Sequence, residues 1–224
     1  MKTSDASWSG RLRVIGDLER PDHWHLTADD NRAFIGEYTA RAGFGHSRTN
    51  SLISNLKKPP STRGTPQWYY KGEAIREVGW TIANNLTAEA LASSTFVPIP
   101  PSKPPTALDY DDRMIQVARA IGRVDVREVL FTHSERGALH ASNDQRDMLA
   151  LRQSISIRME LTNPIPTQVI LLDDMLTTGC SFKACKSILA AIWPTAPFYG
   201  IFVARRVIDR PPIEDVFGAI TFPK

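Results

Sequence analysis

Cysteine is scarce in this chain: Cys180 and Cys185 are the two in 224 residues. No second pair stands near them to complete a zinc site, so a reduced cytoplasmic setting without a structural metal is expected. Long apolar runs are missing as well. The first thirty residues contain none, which argues against a signal peptide, and no stretch approaches the length of a membrane span. A strong charge bias of either sign is also lacking, with 27 Lys and Arg against 24 Asp and Glu, a net charge of +3. That balance falls well short of a nucleic-acid coat and suits an anionic small ligand as well as a polynucleotide. Internal repeats and low-complexity tracts are absent. The five histidines are scattered, and His23-Trp24-His25 is not read as a metal site. What remains is ordinary globular composition, 42% hydrophobic and 23% charged, enough for one generous domain or a core with an accessory part.

Two regions read differently. Residues 1–92 are expected to form a helical region, and residues 93–224 an α/β core. In the first region, apolar and aromatic residues at helical spacing predict a helix over Asn31–Ala42, closed by Gly43 and Gly45. The segment Lys57–Pro66 reads as a loop, and Gly72–Leu91 as a long helix. Trp68, Tyr69, Tyr70 and Trp80 concentrate aromatic surface near that helix and are read as packing groups. In the second region strands and helices alternate. Strands are predicted over Thr95–Pro100, Val126–His133, Ser154–Leu161, Gln168–Asp173 and Phe198–Ala204. Helices are predicted over Asp112–Ile121 and Ser181–Trp193, with a helical turn or two within Gln145–Leu151. Continuous apolar strands separated by helices imply a mostly parallel twisted sheet covered on both faces.

The stretch VILLDDMLTTGCS, residues 169–181, carries the chemistry. An apolar strand runs into Asp173 and Asp174, then into Thr177-Thr178-Gly179-Cys180-Ser181 at the start of a helix. In open parallel sheets ligands bind beyond the carboxyl ends of the strands. The unpaired N–H groups and positive end of a helix hold a phosphate there without a cationic side chain. Carboxylates beside such a cradle repel the phosphate itself. They make sense as acceptors for vicinal hydroxyls or as partners of a bridging divalent cation. A phosphorylated ribose supplies both. A P-loop is excluded because a single glycine is followed by no lysine at the required place. A dinucleotide fingerprint is excluded because Gly43-Phe-Gly45 lacks the third glycine and a preceding strand. Phosphatases with carboxylates two apart are excluded because position 175 is Met.

At Leu171–Ser181 the chain resembles the type I phosphoribosyltransferases, whose phosphoribosyl pyrophosphate (PRPP) motif is an apolar strand, two acidic residues and Thr-Thr-Gly-x-Thr/Ser. The resemblance implies that fold. It also implies that Asp173 and Asp174 take the ribose hydroxyls and that Met175, Leu176, Thr177, Thr178, Gly179, Cys180 and Ser181 line the site, with Thr177 to Ser181 on the 5′-phosphate. The family's pyrophosphate loop corresponds to Val97-Pro-Ile-Pro-Pro-Ser-Lys103. Pro101 and Ser102 then contact pyrophosphate, and Lys103 shares its charge with Mg²⁺ carried by PRPP, with no metal held directly by the protein. The Val-Pro-Ile-Pro start and the late acidic pair look most like the competence protein ComF group, over roughly residues 94–206. The chain departs from that group in lacking the front zinc cysteines, in having Tyr110-Asp-Asp-Arg113 where Arg-Gly-Phe-Asn is usual, and in matching the later Gln…Arg pattern only loosely at Gln145-Arg-Asp-Met148…Arg152.

The activity implied is phosphoribosyl transfer to a nitrogen nucleophile with release of Mg-pyrophosphate. The N-terminal region would form the hood over the acceptor. Ser134 to Gln145 is the expected mobile loop, and Arg136, His140 and Arg146 are its candidates for reaching the ligand. Arg113 is read as a helix-start ion pair, and Arg205 and Arg206 as ending the last core strand. The partners expected are PRPP or a nucleotide, an acceptor the sequence does not identify, and a second copy in a homodimer, with no membrane. The rival reading is a sensor or interaction protein that keeps the pocket without turnover. It would work with protein or nucleic acid in a DNA-handling assembly. A third reading is direct nucleic-acid binding by the N-terminal region through Arg48, Lys57, Lys58, Arg63 and Lys71 with nearby aromatics.

Overall fold

The structure, a computed structural model, describes residues 7–134 and 148–207. In chain order the elements are β1 (Trp8–Val14), β2 (Asn31–Thr39), α1 (Arg48–Leu56), α2 (Pro66–Asn85), α3 (Ala88–Ser93), β3 (Ser94–Pro98), α4 (Arg113–Ala120), β4 (Asp125–Val126), β5 (Leu130–Thr132), α5 (Met148–Gln153), β6 (Ile155–Ile157), β7 (Gln168–Leu176), α6 (Cys180–Ile192) and β8 (Phe198–Val207). Six strands form one sheet in the order β1-β2-β8-β7-β3-β4, and β5 and β6 form a separate antiparallel pair. Every neighbouring pair in the large sheet is parallel except β1–β2. This is an α/β architecture with helices on both faces, and no helix among the described residues is long and apolar enough to cross a membrane.

Strand β7 shows why the central strands read as continuous apolar runs. Val169 and Leu171 bury into the core under α5 and α6, with Phe34, Phe182 and Phe202. Ile170 and Leu172 bury into the opposite core, under α1, α2 and α4, with Ile53, Val78 and Val117. All four lie at or below 4% exposure. At about 1.5–3 kcal/mol for each fully buried large side chain, the root of β7 is a firm mount for whatever its end carries.

The observed elements correct several expectations. Asn31–Thr39 is a strand, not the start of a helix running to Ala42. Phe34 and Ile35 are consecutive yet each is buried, one in each core, which only a strand between two layers achieves. Gly36 is needed there, because a Cβ would sit 2.6 Å from Thr49 Oγ1 and 2.8 Å from the Trp8 ring. Helix α1, capped by Ser47 accepting from the Asn50 N–H, was not anticipated. The long helix starts earlier than expected, with Pro66 in its first turn where a missing N–H costs nothing. It breaks at Leu86, and Thr87 caps the separate α3. The stretch 126–133 is split between the large sheet and the β5–β6 pair, with the Arg127 N–H donating to Phe96 O at the junction. The strand expected over 154–161 ends at Ile157 and passes into a 3-10 turn, Met159–Leu161. Trp80, Tyr69 and Tyr70 are 67%, 62% and 53% exposed, so these three are surface groups and not packing groups.

Candidate functional site

Strands β3 and β7 are parallel neighbours, with Pro98 paired to Leu172. The proline-rich loop after β3 and the acidic end of β7 therefore emerge side by side. Strand β7 runs on through the acidic pair to Leu176, stabilised by its register with β8, Asp173 opposite Phe202 and Leu176 opposite Arg205. A cavity lies at this end, lined by Pro100 and Pro101 of the β3 loop, Tyr110, Arg113, Arg158 and Asp173 among others.

Gly179 is the N-cap of α6 with φ of 85°, a left-handed conformation that glycine adopts without a Cβ penalty. It turns the chain so that α6 starts with its N–H groups lacking helical acceptors. The back of this turn is covered by residues 23–26. The His25 N–H donates to Thr178 O at 3.0 Å, His23 Nδ1 meets Thr177 O, and a Cβ on Gly179 would fall 2.8 Å from Leu26. His23 is fully buried, and burial holds its imidazole below the usual range, so the neutral ring donates through Nδ1. Thr178, Gly179 and Cys180 are buried, whereas Thr177 and Ser181 keep partial exposure.

The two carboxylates have different surroundings. The Asp174 side chain is 6% exposed and meets cations on both oxygens. Arg113 contributes Nε and Nη2, each 2.6 Å from Oδ2, and Lys57 Nζ lies 3.4 Å from Oδ1. Asp173 accepts the Asp174 N–H at 2.8 Å. Burial first, then repulsion from Asp174, raises its carboxyl from 3.8 to about 7, against the attraction of Lys57 and Arg113. Arg113 is tied in turn to Asp111 through Nη1 at 2.9 Å. Both Asp111 oxygens lie 2.8 Å from Nζ of Lys71, which is wholly buried and also donates to Leu56 O and Lys58 O. The network thus runs Lys71–Asp111–Arg113–Asp174–Lys57. No protein-family model matches the chain, and no curated protein matches it in sequence.

The arrangement sets a row of fixed charges beside a helix N-terminus. The cavity carries the carboxylates of Asp111, Asp112, Glu128 and Asp173 against the guanidinium groups of Arg113 and Arg158. Burial and the nearby Glu128 and Asp112 raise Tyr110 above the usual phenol range, leaving it a neutral O–H donor. Four carboxylates thus face two guanidinium groups, with Lys71 paired to Asp111 behind them. Among the described residues no group of three or more His, Cys, Asp or Glu is placed to hold a metal ion.

The remaining expected residues fall in various places. Pro101 lines the cavity, and Lys103, one-third exposed, has Nζ 3.5 Å from Asp109. Arg205 is held by Glu37 at 2.7 Å and stacks over Phe34. Arg136, His140 and Arg146 lie outside the described residues. Arg113 does make the helix-start ion pair, to Asp111, but its bonds to Asp174 join residues 61 positions apart and no local signal announces them. Lys57 and Lys71, read as surface cations, belong to the same network. Arg158 was read only as part of the strand over Ser154–Leu161, and Tyr110 only as part of Tyr110-Asp-Asp-Arg113.

Proposed function

We propose that this chain binds PRPP with Mg²⁺ and transfers its phosphoribosyl group to a nitrogen nucleophile, as a type I phosphoribosyltransferase-fold protein of ComF-like kind. One observation carries the reading: the acidic pair near the end of β7 leads through Met175 and Leu176 to a glycine-capped helix N-terminus, and Asp173 of that pair lines a cavity together with the proline loop of the adjacent strand. The α6 N-terminus takes the 5′-phosphate, with Thr177 and Ser181 adding hydroxyl donors. Asp173 and Asp174 accept the vicinal ribose hydroxyls and fix the sugar for in-line attack. The C1′–O bond to the diphosphate breaks with its electron pair leaving on oxygen, an N–C1′ bond forms, and the nucleophile gives up its N–H proton. Mg²⁺, when bound, neutralises charge on the departing diphosphate. The β3 loop and Lys103 lie on the leaving-group side.

A second reading is a PRPP or nucleotide sensor without turnover, acting in a DNA-handling assembly. It is favoured by the state of Asp174, both of whose oxygens already face cations. Calorimetry with PRPP and Mg²⁺, followed by pyrophosphate release against a panel of bases, separates the two. Binding with turnover on one base supports the transferase, and tight binding with none supports the sensor. Failure to bind PRPP, or binding unchanged in the Asp173→Asn, Asp174→Asn double variant, removes both.

A further inference from the structure

Resting on the PRPP reading, we propose that Arg113 is a resident counter-ion that exchanges Asp174 for the diphosphate of the incoming ligand. Each oxygen of Asp174 already faces a cation, and its side chain is 6% exposed. Oδ2 receives two N–H groups of Arg113 at 2.6 Å, and Oδ1 faces Lys57 at 3.4 Å. A vicinal diol that takes Asp174 as acceptor therefore competes with these cations, and at Oδ2 it competes with Arg113. Arg113 is the one that also lines the cavity beneath Pro100 and Pro101, where the diphosphate is placed. Its other end is pinned. Nη1 bonds Asp111 at 2.9 Å, and Asp111 is fixed by the wholly buried Lys71. The guanidinium can thus leave Asp174 and keep one carboxylate partner, which limits the movement to a short swing. A diphosphate oxygen offers the same forked, charge-assisted geometry that Asp174 gives up. The exchange frees an acceptor for the sugar at the moment it supplies a cation to the leaving group. Ligands that carry a diphosphate drive the swing, whereas ligands with only the sugar and the 5′-phosphate must displace Arg113 with nothing in return.

The experiment compares PRPP, pyrophosphate and ribose 5-phosphate by calorimetry with Mg²⁺ on the full chain, as wild type, Arg113→Gln and Arg113→Lys. Arg113→Gln is expected to weaken PRPP and pyrophosphate by about ten- to a hundred-fold, the worth of a lost hydrogen bond to a charged group. It is expected to leave ribose 5-phosphate unchanged or tighter. Arg113→Lys, which keeps the charge but not the fork, is expected to fall between. This crossover is a pattern that a merely structural role would not produce. Equal loss for all three ligands, or unaltered PRPP affinity, overturns the exchange while leaving the PRPP reading intact. Failure of the wild type to bind either PRPP or ribose 5-phosphate overturns the reading itself. Should circular dichroism show Arg113→Gln unfolded, the same comparison is made on Arg113→Lys, where loss confined to the two diphosphate ligands is required.

Discussion

Replacing Asp173 by Asn is predicted to make the protein more stable, and only in part of the pH range. Burial and the adjacent Asp174 lift the Asp173 carboxyl from 3.8 to about 7. Between those values the folded protein holds a proton that the unfolded chain has released. Folding therefore takes up a proton, and stability falls as pH rises from about 4 to about 7, then levels off. A carboxyl moved from 3.8 to about 7 is worth about 4 kcal/mol, at about 1.4 kcal/mol per tenfold change in proton affinity. That figure is an upper limit, because Asp173 keeps some exposure to water. Asn has nearly the same shape and its Oδ1 still accepts the Asp174 N–H, so the substitution removes the charge and little else. Urea unfolding at about pH 5, 6 and 8 should show the variant gaining on the wild type as pH rises, by up to several kcal/mol at the top. The slope of free energy against urea should be the same for both. A variant equally or less stable than wild type at about pH 8, with unchanged pH dependence, would refute the reasoning. The same charge that weakens the fold is the one proposed to hold the sugar, so the stabilised variant should bind PRPP poorly.

Two further substitutions probe the surroundings. Gly179→Ala places a methyl group 2.8 Å from Leu26 at a φ of 85°; a loss of about 1–3 kcal/mol is expected in thermal melts, with loss of phosphate-ligand binding. Lys71→Ala leaves the mostly covered Asp111 without the ammonium that both its oxygens face, and a loss of about 3–5 kcal/mol in denaturant unfolding is expected; a loss below about 1 kcal/mol would show the network to be unimportant for stability.

The part of the site that lies along one stretch of chain was legible before the fold was known. An apolar strand, an acidic pair, small hydroxyl residues and a glycine dictate local geometry by themselves: α6 starts one residue before the predicted Ser181, while β7 runs three residues beyond the predicted Asp173, to Leu176. What tertiary contact decides was hidden. Phe34, Ile35 and Tyr38 satisfy helical and strand spacing alike, and only the neighbours β1 and β8 settle Asn31–Thr39 as a strand. Lys57 follows a polar helix and precedes two prolines, the context of a solvated loop, yet the fold carries its ammonium to Asp174. The aromatic run at Trp68–Tyr70 pointed to packing by size alone, but the register of α2 turns Tyr69 and Tyr70 outward.

The place of β2 in the sheet also bears on how the protein is made. Its parallel partner is β8, and the bond from Arg205 to Glu37 spans 168 positions. On a ribosome, a strand synthesised near the start must wait, with β1 alone at its side, until the last described strand has emerged. Pairings of that sequence separation are slow to form. The wall of residues 23–26 behind Gly179 is therefore made long before the turn it supports. Nascent chains halted before β8 should expose the unpaired edge of β2 and need a holding chaperone, and the turn at Gly179 is among the last of the described features to gain its full surroundings.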